Sequence, residues 1–198
     1  MTALWFSLLA RARLYRRLAL FELSLADTPP ARPATVPVEL RLLAPGDVAA
    51  HVALRPDVPP GEVLARLGRG ERCFTAWHEG RLVSTTWAAT GRVRIDYLDR
   101  DLALAPGDAY AYDAFTAPDY RGREIAGLCT ASMQRALRAA GVRRLLAAHL
   151  PENRFVRGRT AKRPQRDLGV IGYVGLGPWR RHFLRERAGE WRRPSVGR

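Results

Sequence analysis

The stretch from Asp108 to Leu150, DAYAYDAFTAPDYRGREIAGLCTASMQRALRAAGVRRLLAAHL, constrains the fold more than any other part of the chain. It opens as an aromatic-rich strand. It breaks at Pro118, turns through Arg121-Gly122-Arg123, and enters the clearest helix in the sequence. Ile125, Leu128, Cys129, Met133, Ala136, Leu137 and Ala140 repeat at helical spacing and form one apolar face; Glu124, Thr130, Gln134, Arg135 and Arg138 form the other. Gly141 stands where a helix C-cap is expected, and VRRLLAAHL then reads as a strand whose second half is almost wholly apolar. Strand, helix, strand in so short a span makes a βαβ unit, whose two strands are expected to be parallel and buried. The expectation is an α/β (α+β) chain with a mixed central sheet.

The flanking sequence gives that unit its company. Residues 1–36 read as an appendage: a helical apolar stripe of Trp5, Leu8, Leu9, Ala12 and Tyr15, then the alternating strand LALFELSL, then the Pro-rich linker TPPARPATVP. A main domain follows over 37–190. Val38, Leu40 and Leu42 alternate as a strand, and Asp47 is placed to cap a helix through Leu54. PPGEVLARLGRG is a second helix with Pro at its start and Gly at its end. RCFTAWHE and RLVSTTWAAT are strands joined at Glu79-Gly80. Beyond the βαβ unit, a basic segment, Arg154 to Arg166, reads as helix or loop, GVIGYVGLG as a strand, and WRRHFLRER as strand or helix. Residues 191–198 form a basic tail.

Composition excludes several classes. Cys73 and Cys129 both lie in apolar surroundings, so they read as buried thiols of a reducing compartment, not as a disulfide framework or metal site. No metal site is expected. No apolar run reaches the ~20 residues of a membrane span, and the arginines at 11, 13, 16 and 17 follow the first apolar stretch, the reverse of a signal peptide. The formal charge of +14 is carried almost wholly by arginine, since Lys162 is the only lysine. It draws polyanions of any kind.

The turn after the aromatic strand is where an anion would sit. The first amides of a helix lack internal partners, and the macrodipole adds roughly half a positive charge there. The P-loop and the three-glycine dinucleotide patterns are absent. In PDYRGREIAG, the residues Pro118, Tyr120, Arg121, Gly122, Arg123, Ile125 and Ala126 resemble the Gln/Arg-x-x-Gly-x-Gly/Ala signature of the GNAT superfamily of acyl-CoA-dependent N-acyltransferases. The resemblance covers about Val38 to Arg185. It implies the GNAT fold, acetyl-CoA or another acyl-CoA as co-substrate, and a primary amine of a small molecule as acceptor. It also implies that backbone groups near Ala114 to Thr116, Phe115 among them, hold the pantetheine arm and polarise the thioester. Amides of Arg123, Glu124, Ile125, Ala126 and Gly127 would take the pyrophosphate, with charge from Arg121 and Arg123, close approach at Gly122, and Asn153 just past the next strand. Two positions depart from the pattern. Glu124 replaces the signature's central glycine, and the region of the family's thiolate-protonating tyrosine has Thr160 and no tyrosine.

Amine acylation needs a neutral amine, hence a base or a water relay. The candidate residues are Asp113 and Tyr112 on the aromatic strand, His149 on the next, and Asp96. Each has a structural alternative: Asp113 as the partner of an arginine, His149 as a satisfied strand histidine. Tyr110 and Tyr112 fall on one strand face and share an environment. His78 and His182 read as surface residues. The basic segments leave open a homodimer, and a peripheral contact with RNA or an anionic membrane from the cytoplasmic side, and with them a non-catalytic reading of the fold.

Overall fold

The computed structural model describes residues 9, 14–25, 31–152, 165–176, 179–186 and 191–192, the last pair by backbone alone. The chain divides into two compact units: Met1–Asp27, Arg92–Ala103 and Arg144–Arg198 form the first, and Thr28–Gly91 and Leu104–Arg143 the second.

The second unit is a four-stranded antiparallel sheet with helices on both faces. Its strands are β2 (Glu39–Leu42), β3 (Arg72–His78), β4 (Arg81–Thr90) and β7 (Asp108–Thr116), in the order β7-β4-β3-β2. The Glu79-Gly80 turn between β3 and β4 has both residues at positive φ, 49° and 74°, the backbone a two-residue hairpin requires. Alternation along β3 sends Cys73 and Trp77 to one face, where Val63 and Leu54 cover them from α2 (Pro60–Gly68) and α1 (Val48–Leu54). Ala76 faces the other way, onto Ile125 and Cys129 of α3 (Ile125–Ala139). Both cysteines are buried and unpaired.

The first unit packs β10 (Trp179–Glu186), β9 (Gln165–Leu176), β1 (Tyr15–Leu23) and β8 (Arg144–His149) side by side in that order, all antiparallel, with β11 (Trp191–Arg192) pairing β9. A separate hairpin joins β5 (Arg92–Ile95) and β6 (Arg100–Ala103). No helix among the described residues is long and apolar enough to cross a membrane.

Several expectations change. Tyr15, read as part of the helical stripe, opens β1; Leu9 is helical, and Trp5, Leu8 and Ala12 lie outside the described residues. β1 is covered on both faces over its second half, so Leu20, Phe21, Glu22 and Leu23 are all buried and alternation vanishes. Asp47 precedes α1 as expected, but its carboxylate turns back to the Ala44 amide, 2.9 Å, and to Arg41, where it ends a short 3-10 turn. Gln134, placed on the polar face of α3, is buried, because the covered side of the helix is wider than its apolar stripe, and Ala140, placed on the apolar face, is exposed just past the helix end. The β5–β6 hairpin has no counterpart in the sequence reading: Arg92–Ile95 alternates, but over only four residues, too short a run to stand out. WRRHFLRER is a strand, and His78 and His182 are half-buried.

Candidate functional site

The ladder between β4 and β7 slips by one residue. Thr85 faces Phe115 and Trp87 faces Tyr112, so Asp113 and Ala114 together stand opposite Thr86. This is a β-bulge, and Asp113 takes the left-handed conformation, φ 47°, that the bend demands. The bulge re-aims the Asp113 carboxylate into two guanidinium groups, Arg55 at 2.5 Å and Arg66 at 2.7 Å. Arg55 is fixed in turn by Asp57, at 2.8 and 2.7 Å. Arg66 is held by Glu62 at 3.0 Å and lies over the rings of Trp87 and Tyr112. Tyr112 donates its hydroxyl to Glu71, which also accepts from Arg69 at 2.7 Å. Tyr110 stacks on Tyr112, as the shared strand face requires.

These partners set the protonation states. Burial raises the Asp113 carboxyl, but the bonds from Arg66 and Arg55 outweigh it and hold it below the usual carboxylate range. Burial, and then the bond to Glu71, push the Tyr112 phenol well above its ordinary value. A carboxylate occupied on both oxygens and a phenol that keeps its proton are poor bases near neutral pH. His149 stands on β8 in the first unit, where its Nδ1–H donates to the Leu150 carbonyl at 2.9 Å and its ring tilts against Phe21. Asp96 is an exposed residue of the β5–β6 turn. Asn153, Thr160 and most of the basic segment lie outside the described residues.

The turn after β7 is braced on every side but one. Ser84 donates to the Phe115 carbonyl at 3.0 Å and meets the Thr116 hydroxyl at 2.9 Å, and Ala117 N–H donates to the Val83 carbonyl at 2.9 Å. By the alternation of an antiparallel ladder, that last bond points the Phe115 amide toward β4 and turns the Thr116 amide away from it. Tyr120 is gripped between Arg81, Arg123 and His78. The chain then runs through Gly122 at φ 77° and Glu124 at φ 61° into α3, with the Arg123 carbonyl accepting from Thr35. Alternating left-handed residues turn successive amides to one side, the concave arrangement that receives anions. The amides of Gly122, Arg123, Glu124, Ile125 and Ala126 have no backbone partner among the described residues, whereas that of Gly127 is already bonded to the Glu124 carbonyl. Arg121 spans the turn, donating to the Thr116 carbonyl and lying over Phe115. Glu124 and Arg123 are exposed.

The fold recurs in solved structures. A protein from Novosphingobium aromaticivorans, described as a GNAT-family acetyltransferase, aligns over 80% of this chain and 62% of its own at 18% identity, with a TM-score of 0.57. The fold is that of the GNAT acetyltransferases. A Drosophila protein aligns at TM-score 0.56 and 18% identity over 88% of this chain and 57% of its own. The PaiA N-acetyltransferase of Thermoplasma acidophilum, solved with coenzyme A, aligns at TM-score 0.51 and 11% identity over 64% of this chain and 88% of its own. This chain therefore spans less than two thirds of the first two. No family model matches the sequence, and no curated protein matches it.

Within the GNAT fold, the sequence reading missed three residues beneath the bulge. Arg66 lies inside the second helix and Arg55 just past the first, and neither is singled out by any local pattern. His51, fully buried on α1, accepts from the Trp87 indole at 3.3 Å and has no partner at Nδ1. Burial lowers its pKa. The available signal was a lone Asp113 set among aromatics in a strand, which calls for cations from elsewhere in the chain.

Proposed function

We propose that this chain is an acyl-CoA-dependent N-acyltransferase that moves an acetyl group from acetyl-CoA to a primary amine of a small molecule. The observation that carries the reading is the run of unpartnered amides from Gly122 to Ala126, lifted out of the turn by two left-handed residues at the start of α3 in a GNAT fold. Those amides and the α3 dipole bind the pyrophosphate, and Arg121 and Arg123 add charge around it. The Thr116 amide, turned away from β4, donates to the thioester oxygen as negative charge develops on it; one such donor is typically worth ~3 kcal/mol of barrier. The amine nitrogen attacks the carbonyl carbon, the C–S bond breaks, and the sulfur leaves as thiolate, which takes a proton from water.

Asp113 positions and takes no proton. It fixes the bulge and ties it to α1 and α2 through Arg55 and Arg66. With no base in place, the acceptor ammonium loses one proton to water before it attacks and the nitrogen loses a second to water as the amide forms, so the rate follows the amine's own ionisation.

Calorimetric titration with acetyl-CoA, and with CoA, tests the reading. Micromolar binding is expected, together with its loss in Gly122→Trp. A Cβ at Gly122 meets nothing within 4 Å, but the residue sits at φ 77°, so thermal unfolding is measured alongside: lost binding with an unfolding midpoint near the parent's reports a ligand approaching the turn. Absence of heat at high micromolar coenzyme would remove the proposal.

A further inference from the structure

The sheet of the first unit has one packed face and one open end. Register places Leu18, Leu20, Ile171 and Tyr173 on the same side, and all four are buried. The other side is different. Leu176 lies directly opposite Trp179, Val174 opposite Arg181, and Val170 opposite Arg185. Leu176 is 78% exposed, Trp179 81% and Val174 55%. Tyr15 and Phe183 stack on this side. Neither Arg181 nor Arg185 has a carboxylate partner among the described residues. The surface thus combines a protruding aliphatic and indole tip with uncompensated guanidinium groups beside it.

The charge of the whole chain is gathered in the same unit. By sequence, the first unit holds 21 basic and nine acidic residues and the second 12 and ten, which puts twelve of the fourteen net charges in the first.

We propose that the open end of the β9–β10 hairpin docks on an anionic lipid surface, with Trp179 and Leu176 entering the interface and Arg181 and Arg185 among the headgroups. Indole and leucine side chains partition into that boundary, and basic residues beside them meet acidic headgroups. A second copy of the chain fits less well, because a two-fold contact of this face sets arginine against arginine. RNA fits less well too: Trp179 offers a base one stacking surface, but Leu176 and Val174, exposed beside it, gain nothing from bases or phosphates.

The test is co-sedimentation of the full chain with vesicles of phosphatidylcholine containing 30% phosphatidylglycerol, with pure phosphatidylcholine vesicles and a 20-nucleotide RNA in parallel. Expected is binding to the acidic vesicles at least tenfold stronger than to neutral ones. Both W179S/L176S and R181Q/R185Q should weaken it at least tenfold, with thermal midpoints near that of the parent. All substituted residues lie outside the coenzyme turn, so coenzyme titration of the same variants is expected to be unchanged, and failure of the coenzyme reading shows up separately. Equal binding to neutral vesicles, binding to RNA alone, a dimer abolished by W179S/L176S, or no binding at all would each overturn the proposal.

Discussion

Glu124 is the residue whose conformation and chemistry pull in opposite directions. It sits at φ 61°, which glycine adopts freely and a residue with a Cβ adopts at a cost of roughly 1 kcal/mol. It also places a carboxylate among amides proposed to hold phosphate. Glu124→Gly is expected to stabilise the chain by up to about 1 kcal/mol and to tighten coenzyme binding several-fold, read by calorimetric unfolding and by titration. A rise in stability without a gain in affinity would mean that the carboxylate points away from the ligand. Asp113 gives the converse case. Asp113→Asn takes from Arg55 and Arg66 the one buried anion they share, leaving only the more exposed Asp57 and Glu62, and is expected to cost about 3 kcal/mol. The pH–rate profile of the surviving enzyme should keep its shape; disappearance of its acid limb would restore Asp113 as a general base. His51 supplies a pH dependence of its own. Its folded pKa is lowered, so between that value and about 6.5 the unfolded chain binds more protons and stability falls as pH falls. Asp113 is also lowered, but its contribution is lost only below about pH 4. Chemical denaturation at pH 7 and pH 5 reads His51 together with His182, whose pKa burial also lowers. His51→Gln keeps an acceptor for Trp87 and is expected to remove the His51 share of the fall, leaving a shallower dependence.

At the scale of elements, legibility in the sequence followed periodicity. α3 was readable because its apolar residues recur at helical spacing and Gly141 stops it, and the β3–β4 hairpin because Glu79-Gly80 accepts positive φ. The turn motif was readable because it is contiguous. The Asp113 clamp was not: Arg55 and Arg66 reach it across 58 and 47 residues, and no local pattern encodes such a meeting. β1 was half-legible, since its alternation fails where both faces are covered. One close approach in this unit rests on a single glycine that composition alone could not single out. A Cβ on Gly172 of β9 would strike the Arg16 carbonyl of β1 and, at 2.7 Å, the tip of the Phe183 ring. Phe183 can swing aside, but the carbonyl belongs to a paired strand and cannot. Gly172→Ala is therefore expected to destabilise the chain by about 1–3 kcal/mol, measured by denaturant unfolding. Gly172→Ala/Phe183→Leu should recover only part of the loss, because the backbone clash remains.

The charge distribution acts on the molecule as a whole. Almost all the positive charge is guanidinium, which stays protonated throughout the accessible pH range, so the excess of twelve in the first unit cannot be relieved by titration. Screening can relieve it. The Debye length shrinks from about 30 Å at 0.01 M salt to about 10 Å at 0.1 M, so added salt removes repulsion between distant arginines first. The same salt weakens exposed pairs such as Arg81–Asp119, but each of these contributes little. The half-buried Arg55–Asp113–Arg66 cluster is shielded from it. The balance favours the fold: the thermal midpoint should rise between 0.01 and 0.2 M sodium chloride, by about 2–4 °C if the relieved repulsion is about 1 kcal/mol. Scanning calorimetry at fixed pH reads this directly. A midpoint that falls with salt would mean that attraction within the exposed ion pairs outweighs repulsion across the first unit, and the concentration of charge there would then have no energetic consequence for the free protein.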